Sequence, residues 1–278
     1  MKKIFVTYGD AGYEASKRKI INEASATDEF DFLYSYGRDD LSDVLLSSEI
    51  ITVKRGGGLW SWKPDVILST MLKHNEGDII VYCDAGCSVY SSPEWRKIWE
   101  KLEKHDIIAQ RIFQKTIKWT RREILDYFKD NGNAWLNLYQ FQATTTTIKI
   151  TDFSKKFVQE WRDLMITHPE LAMDVPKDQL EHQLPAFKEN RHDQSIYSAL
   201  IYKYLNNPLT KEKIYTQWEH IEDYDPIFKQ AIRATRLRQG QDETRKKRII
   251  AGCKRLVKDY ILKPFYYSPL QWWFSRHN

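Results

Sequence analysis

Two spacings of apolar residues alternate along the first 205 positions. Short runs rich in β-branched and aromatic residues occupy 3–8, 30–36, 79–83, 106–113 and 138–150, and each reads as strand, the last as one long or two short ones. Between them, 13–26, 41–49, 65–74, 93–104, 120–130, 153–167 and 196–205 read as helices, with a short extended piece at 50–54. Strands interleaved with helices of this length predict an α/β domain. Helix starts are written locally. Ser92-Pro93-Glu94 supplies a cap, a first-turn proline and a first-turn acid. Thr120 with Glu123 forms a capping box, Thr151 or Asp152 caps the helix at 153, and His192 or Asp193 stands at the cap of the helix at 196.

The run Ile79-Ile80-Val81-Tyr82-Cys83 is apolar throughout, as in a strand covered on both faces. Asp84 follows it, at the carboxyl end of a strand, where open α/β sheets place ligands. Ala85 and Gly86 come next, and the glycine permits a tight turn or a close backbone approach. The structural alternative is a strand closed by an Asx-type turn.

Other stretches also carry candidate chemistry. Arg55-Gly56-Gly57-Gly58-Leu59-Trp60-Ser61-Trp62-Lys63-Pro64 combines three glycines, two tryptophans and a lysine ahead of a helix whose first turn accepts Pro64. It reads either as a loop with its tryptophans packed inward or as a close-approach loop, with Trp60 or Trp62 as platform and Lys63 neutralising phosphate. Thr7-Tyr8-Gly9 ends the first strand. The loop 9–13 before the next helix suits phosphate only weakly, because it lacks a P-loop lysine. At 190–195, Asn190-Arg191-His192-Asp193-Gln194-Ser195 crowds polar groups at a helix start, which serves capping or a mounted site. Residues 168–189, with three prolines, form the longest irregular stretch and a candidate lid.

Composition changes this picture in four ways. The chain has 10 Trp, 16 Tyr and 12 Phe among 278 residues, dense enough to supply stacking platforms beyond the core. Three cysteines, an odd and sparse count, indicate a reducing compartment without a disulfide framework, and Cys83 and Cys87 lack the second pair a zinc site needs. No run of apolar residues is long enough to span a bilayer, and the apolar start stops at Gly9-Asp10, unlike a secretion signal. Charge is uneven: residues 229–278 hold 13 Lys and Arg against 3 Asp and Glu, a net +10 in a chain of +5, which leaves −5 on residues 1–228. Helically spaced apolar residues among the basic ones, followed by Phe265-Tyr266-Tyr267 and Trp272-Trp273-Phe274, read as an interfacial anchor or as a helix packed back on the body. The expected division is a catalytic domain at 1–228 and a basic amphipathic extension at 229–278.

In order, the first strand, the Gly-rich Trp-x-Trp-Lys-Pro segment, the strand ending Asp84-Ala85-Gly86 and the Arg191-His192-Asp193-Gln194-Ser195 segment resemble small bacterial glycosyltransferases of GT-A type from capsule, lipopolysaccharide and O-antigen gene clusters. The resemblance extends loosely over residues 1–205. It implies a GT-A (Rossmann-like) fold, a mixed and mostly parallel sheet flanked by helices. It further implies a nucleoside diphosphate sugar donor, such as a UDP-sugar, and a glycan or lipid-linked glycan acceptor. Such enzymes carry Asp-x-Asp at this strand end for Mn²⁺ or Mg²⁺; here Asp84 is the one carboxylate that could hold the metal. The implied donor site takes in Thr7, Tyr8, Gly9, Gly58, Trp60, Trp62, Lys63, Asp84, Ala85, Gly86 and Gln194. Asp193 is the implied base or acceptor-binding residue, with His192 beside it. The extension would hold the enzyme on the cytoplasmic face of an anionic membrane, and no nucleic acid is expected. Two rivals remain, a sugar-phosphate nucleotidyltransferase and a non-enzymatic polyanion-binding protein.

Overall fold

The computed structural model describes residues 1–129, 134–218 and 230–234, together with Ile250 and Cys253. Nine strands are present among them: β1 (Lys3–Tyr8), β2 (Phe32–Tyr36), β3 (Ile79–Cys83), β4 (Ser88–Val89), β5 (Ile107–Lys115), β6 (Tyr139–Phe141), β7 (Thr145–Lys149), β8 (Ile214–Trp218) and β9 (Ile232–Arg233). The five longer helices are α1 (Glu14–Ser25), α2 (Trp62–Met71), α3 (Glu94–Lys104), α4 (Asp152–Thr167) and α5 (Asp193–Leu205).

Seven strands form one sheet in the order β2-β1-β3-β7-β5-β6, with β8 also paired to β5. Three pairings are parallel, β1 with β2, β1 with β3 and β5 with β8; three are antiparallel, β3 with β7, β7 with β5 and β5 with β6. This is the α/β architecture that the pattern predicts, with the mixed sheet flanked by helices that the resemblance implies. Two antiparallel steps separate β5 from β3, so the two run in the same direction. The carboxyl ends of β1, β2, β3 and β5 therefore share one edge.

Side-chain alternation divides the core as the strand period requires. Ile4, Val6, Ile80 and Tyr82 face the helices α2, α4 and α5, with Val66, Ile67, Phe157, Trp161, Ile196 and Leu200. Phe5, Ile79, Val81 and Cys83 face α1 and α3, with Ile20, Trp95 and Ile98. Every residue of β3 is fully buried, as its unbroken apolar run predicts.

Several local expectations hold. The Ser92 hydroxyl accepts from the Glu94 N–H at 3.1 Å, and the Thr151 hydroxyl accepts from the Ser154 N–H at 3.2 Å. Others yield to tertiary contacts. Thr120 caps nothing: its hydroxyl accepts from the buried Gln140 amide at 2.8 Å, and the helix that follows starts at Arg122 without a side-chain cap. The helix expected at 41–49 is a single turn, Asp43–Leu46, and the extended piece expected at 50–54 opens as a 3₁₀ turn, Ile50–Thr52. The α2 helix begins at Trp62, so Lys63 belongs to its first turn along with Pro64.

Residues 230–234 lie on the C-terminal side of the boundary expected after 228, and they return to the body. β9 pairs antiparallel with β4, Val89 opposite Ile232, and the Ala231 N–H donates to Glu94 Oε2 at 2.6 Å. The basic amphipathic helix and aromatic cluster expected beyond them lie outside the described residues, except for Ile250 and Cys253, which are helical and exposed. No helix among the described residues is long and apolar enough to cross a membrane.

Candidate functional site

Three charged side chains from three distant segments meet at the shared strand edge. Asp84 leaves the end of β3, Lys63 comes from the first turn of α2, and Asp193 is the first residue of α5. Lys63 Nζ donates to Asp193 Oδ2 at 2.8 Å and lies 3.4 Å from Asp84 Oδ1. Tyr82 donates its hydroxyl to the same Asp84 oxygen at 2.7 Å. Lys63 and Asp193 are 2% and 5% exposed, whereas the Asp84 side chain keeps 26% of its surface open. Asp84 is therefore the member of the trio that a ligand reaches.

The ammonium is also flanked by ring faces, Trp62 at 5.7 Å and Tyr82 at 5.8 Å from ring centre to nitrogen. Burial alone would lower the Lys63 pKa, but the Asp193 and Asp84 carboxylates outweigh it and hold the ammonium above the ordinary lysine value. Burial pushes the Asp193 carboxyl up, opposed by Lys63 and reinforced by Asp84. Burial, then Asp84, also pushes the Tyr82 phenol well up, so it stays a neutral donor.

The Asx-turn alternative for Asp84 is not what forms. The turn after β3 is closed by backbone, the Cys87 N–H donating to the Asp84 carbonyl at 2.9 Å, while the carboxylate turns to Tyr82 and Lys63. Capping is likewise not the role of 192–193. His192 stands at the cap of α5 without a side-chain cap bond, and Asp193 points at Lys63.

Lys63 is aimed by an unusual turn. Gly56, Gly57, Gly58, Leu59 and Trp60 all have positive φ, between 53° and 97°, so the expected loop is a short left-handed turn. A Cβ on Gly56 would meet the Trp60 ring at 2.6 Å, and one on Gly58 would meet the Ile51 backbone at 3.0 Å. Leu59 and Trp60 are not glycines, and a left-handed conformation costs them about 1–2 kcal/mol each. Packing holds them there. Leu59 is 1% exposed, and Trp60 stacks on His192 with ring centres 5.2 Å apart. His192 has φ 52° itself, and its Nδ1 hydrogen-bonds the Ala172 carbonyl at 2.7 Å. Arg55 binds both oxygens of Asp174 at 2.8 Å, so the glycine turn, the 168–174 segment and the start of α5 are fastened together.

The remaining expected site residues divide by accessibility. Thr7, expected to line the nucleotide, is fully buried, and its hydroxyl donates to the Cys83 carbonyl at 2.8 Å, joining β1 to β3. Tyr8 is 5% exposed and stacks on Trp62 with ring centres 4.2 Å apart; burial, then Asp10, pushes its phenol up to about 12. Trp62 is 7% exposed, and its indole N–H donates to the Gly56 carbonyl at 2.9 Å, so this ring packs inward. Gly9 allows close packing, since a Cβ there would meet Tyr13 at 2.6 Å. Gly58 and Ala85 are buried, Gly86 half-buried.

Gln194 sits beside Asp193 and donates to Gln140 Oε1 at 2.7 Å and Gln114 Oε1 at 3.0 Å. Sequence reasoning missed Gln114, Gln140 and Tyr82. A signal existed only for Tyr82, which shares the strand face of Asp84 two residues on.

A divalent cation at Asp84 would need further hard oxygen ligands. Among the described residues, no group of three or more His, Cys, Asp or Glu side chains is placed to hold a metal. The second carboxylate at this edge, Asp193, is directed at the Lys63 ammonium, which also faces Asp84. Among the described residues, this donor set does not fit a divalent metal.

No family model and no curated protein matches the chain. It is similar to several solved structures. One is a glycosyltransferase involved in glycosylation of the major capsid of PBCV-1, at 9% identity and TM-score 0.42 over 80% of this chain and 84% of that one. Another is the galactosyltransferase LgtC in complex with donor and acceptor sugar analogues, at 12% and 0.40 over 78% and 86%. A third is 4-diphosphocytidyl-2C-methyl-D-erythritol synthase of Anaerococcus prevotii, at 12% and 0.37 over 91% and 96%. Similarity this low assigns neither a family nor an activity to the chain.

Proposed function

We propose that the chain is a glycosyltransferase. It moves a sugar from a nucleoside diphosphate sugar, such as a UDP-sugar, to a hydroxyl of a cell-surface polysaccharide or lipid-linked oligosaccharide. The observation that carries this reading is the Asp84–Lys63–Asp193 cluster, with its one open carboxylate at the edge where parallel strands end. In the reaction the bond from the anomeric carbon to the diphosphate oxygen breaks, a bond to the acceptor oxygen forms, and the hydroxyl proton needs a base. Asp84 is the carboxylate open to substrate. Asp193, buried and bonded to Lys63, holds that ammonium in place, so the acceptor proton falls to Asp84. Lys63 supplies fixed positive charge as negative charge grows on the leaving diphosphate. Trp60, half-buried beside His192, offers a ring edge to a sugar. The +10 charge of residues 229–278 supports attachment to an anionic membrane surface on the cytoplasmic side, where lipid-linked acceptors are found.

The test is a thermal-shift screen of the full chain against UDP-, GDP-, CMP- and TDP-sugars, followed by product analysis. A donor at about 100 times its Kd stabilises by about 2.7 kcal/mol, which for a chain of this size raises Tm by roughly 5–10 °C. Transfer to a glycan acceptor should follow from the same donor. Release of pyrophosphate from a nucleoside triphosphate and a sugar phosphate would instead establish a nucleotidyltransferase. The absence of any shift and any turnover would remove the enzymatic reading.

A further inference from the structure

Lys63 is more than a partner for one carboxylate. Its nitrogen is enclosed on four sides, by Asp193 at 2.8 Å, Asp84 at 3.4 Å, and the Trp62 and Tyr82 rings at 5.7 and 5.8 Å. The cage draws on four separate features of the fold: the end of β3, the start of α2, the start of α5 and the left-handed glycine turn that sets the entry of α2. The carboxylates that could have shared a divalent ion converge on this nitrogen instead. A metal bonded to an Asp84 oxygen at about 2.0–2.6 Å would stand close to a fixed like charge. The other Asp84 neighbour, Tyr82, donates a hydrogen and offers no anionic oxygen.

We propose that Lys63 is the resident cation of this site: its caged ammonium stands in the place of a divalent metal, and the chain acts without one. This rests on the glycosyltransferase reading for what the charge does, but not for whether a metal binds. The ammonium is held within reach of the open face of Asp84, where the leaving diphosphate would gather charge. A buried charge of this kind acts through a low dielectric and needs no reorganisation during reaction. It also needs no metal to be recruited along with the donor.

The experiment is Mn²⁺ binding to the full chain, followed by the loss of free Mn²⁺ signal in electron paramagnetic resonance. Wild type should bind no Mn²⁺ at the site below about millimolar concentration, and its transfer rate should change less than twofold on adding EDTA. Lys63→Ala leaves Asp84 and Asp193 facing an emptied cage and should gain one Mn²⁺ site, lost again in Lys63→Ala/Asp84→Asn. One tight Mn²⁺ site in wild type that Asp84→Asn abolishes would overturn the proposal, as would a tenfold loss of rate in EDTA restored by Mn²⁺. If Lys63→Ala does not fold, the wild-type titration and the Asp84→Asn control decide alone. If wild type neither binds Mn²⁺ nor transfers sugar from any donor, the glycosyltransferase reading fails while the metal-free character of the cluster stands.

Discussion

Replacing Lys63 with methionine tests the cluster most directly, because it removes the charge and keeps most of the side-chain volume. At an effective dielectric of about 20, unit charges 2.8 Å and 3.4 Å apart attract by about 6 and about 5 kcal/mol. Desolvation of each buried ion offsets several kcal/mol of this, so the intact cluster contributes little net stability. Breaking it is different. Lys63→Met leaves Asp193, 5% exposed, with no cation in contact. Removing one partner of a buried pair costs about 3–5 kcal/mol, and this should appear as a lower urea midpoint at unchanged m-value.

The deficit should depend on pH with a defined sign. Burial already raises the Asp193 carboxyl, and Lys63 is the main opposing group, so the variant raises it further. A folded-state pKa above the unfolded value means that the folded chain holds the proton more tightly. Stability then falls as pH rises from the ordinary carboxyl range through the raised value. The Lys63 group itself titrates above this window. The deficit of Lys63→Met should therefore be smaller at about pH 5 than at about pH 8. Adding Asp193→Asn removes the orphaned charge and should restore more than half of the loss, a coupling that a double-mutant cycle reads directly. A deficit under about 1 kcal/mol, flat across this pH range and unchanged by Asp193→Asn, would refute the reasoning.

Other substitutions separate the site from its scaffold. Asp84→Asn keeps the shape of an open side chain, so transfer should fall by about 10²-fold or more while urea melts shift by less than about 2 kcal/mol. Gly58→Ala places a Cβ 3.0 Å from the Ile51 backbone at φ 97° and should cost about 2–3 kcal/mol in thermal melts. Gly57→Ala, whose Cβ meets nothing nearer than 3.7 Å, should cost only about 1 kcal/mol. Thr151→Ala loses the cap of α4 and should cost about 1 kcal/mol with no change in donor binding.

Much of this architecture was legible because strands announce their faces locally. The unbroken apolar run of β3 requires cover on both sides, and it is buried throughout; the parity of Tyr82 and Asp84 places them on one face. The cap at Thr151 formed although its hydroxyl also donates to Asp106 Oδ2 at 3.0 Å, because a hydroxyl can donate to one group while accepting from the Ser154 N–H. Thr120 failed as a cap because the Gln140 amide, 20 residues on, takes its hydroxyl in the core. Asp193 failed because a full positive charge 130 residues away in sequence outweighs a neutral N–H at a helix end. No local rule sees such partners. The glycine run was visible, but its form was not, since Leu59 and Trp60 adopt a left-handed backbone that their own propensities disfavour. The departures at Asp193 and at 56–60 share a destination: one turns its carboxylate to Lys63, and the other sets the helix start that carries Lys63. Local rules broken in separate segments for one shared contact are what a functional site requires of a fold that otherwise obeys them.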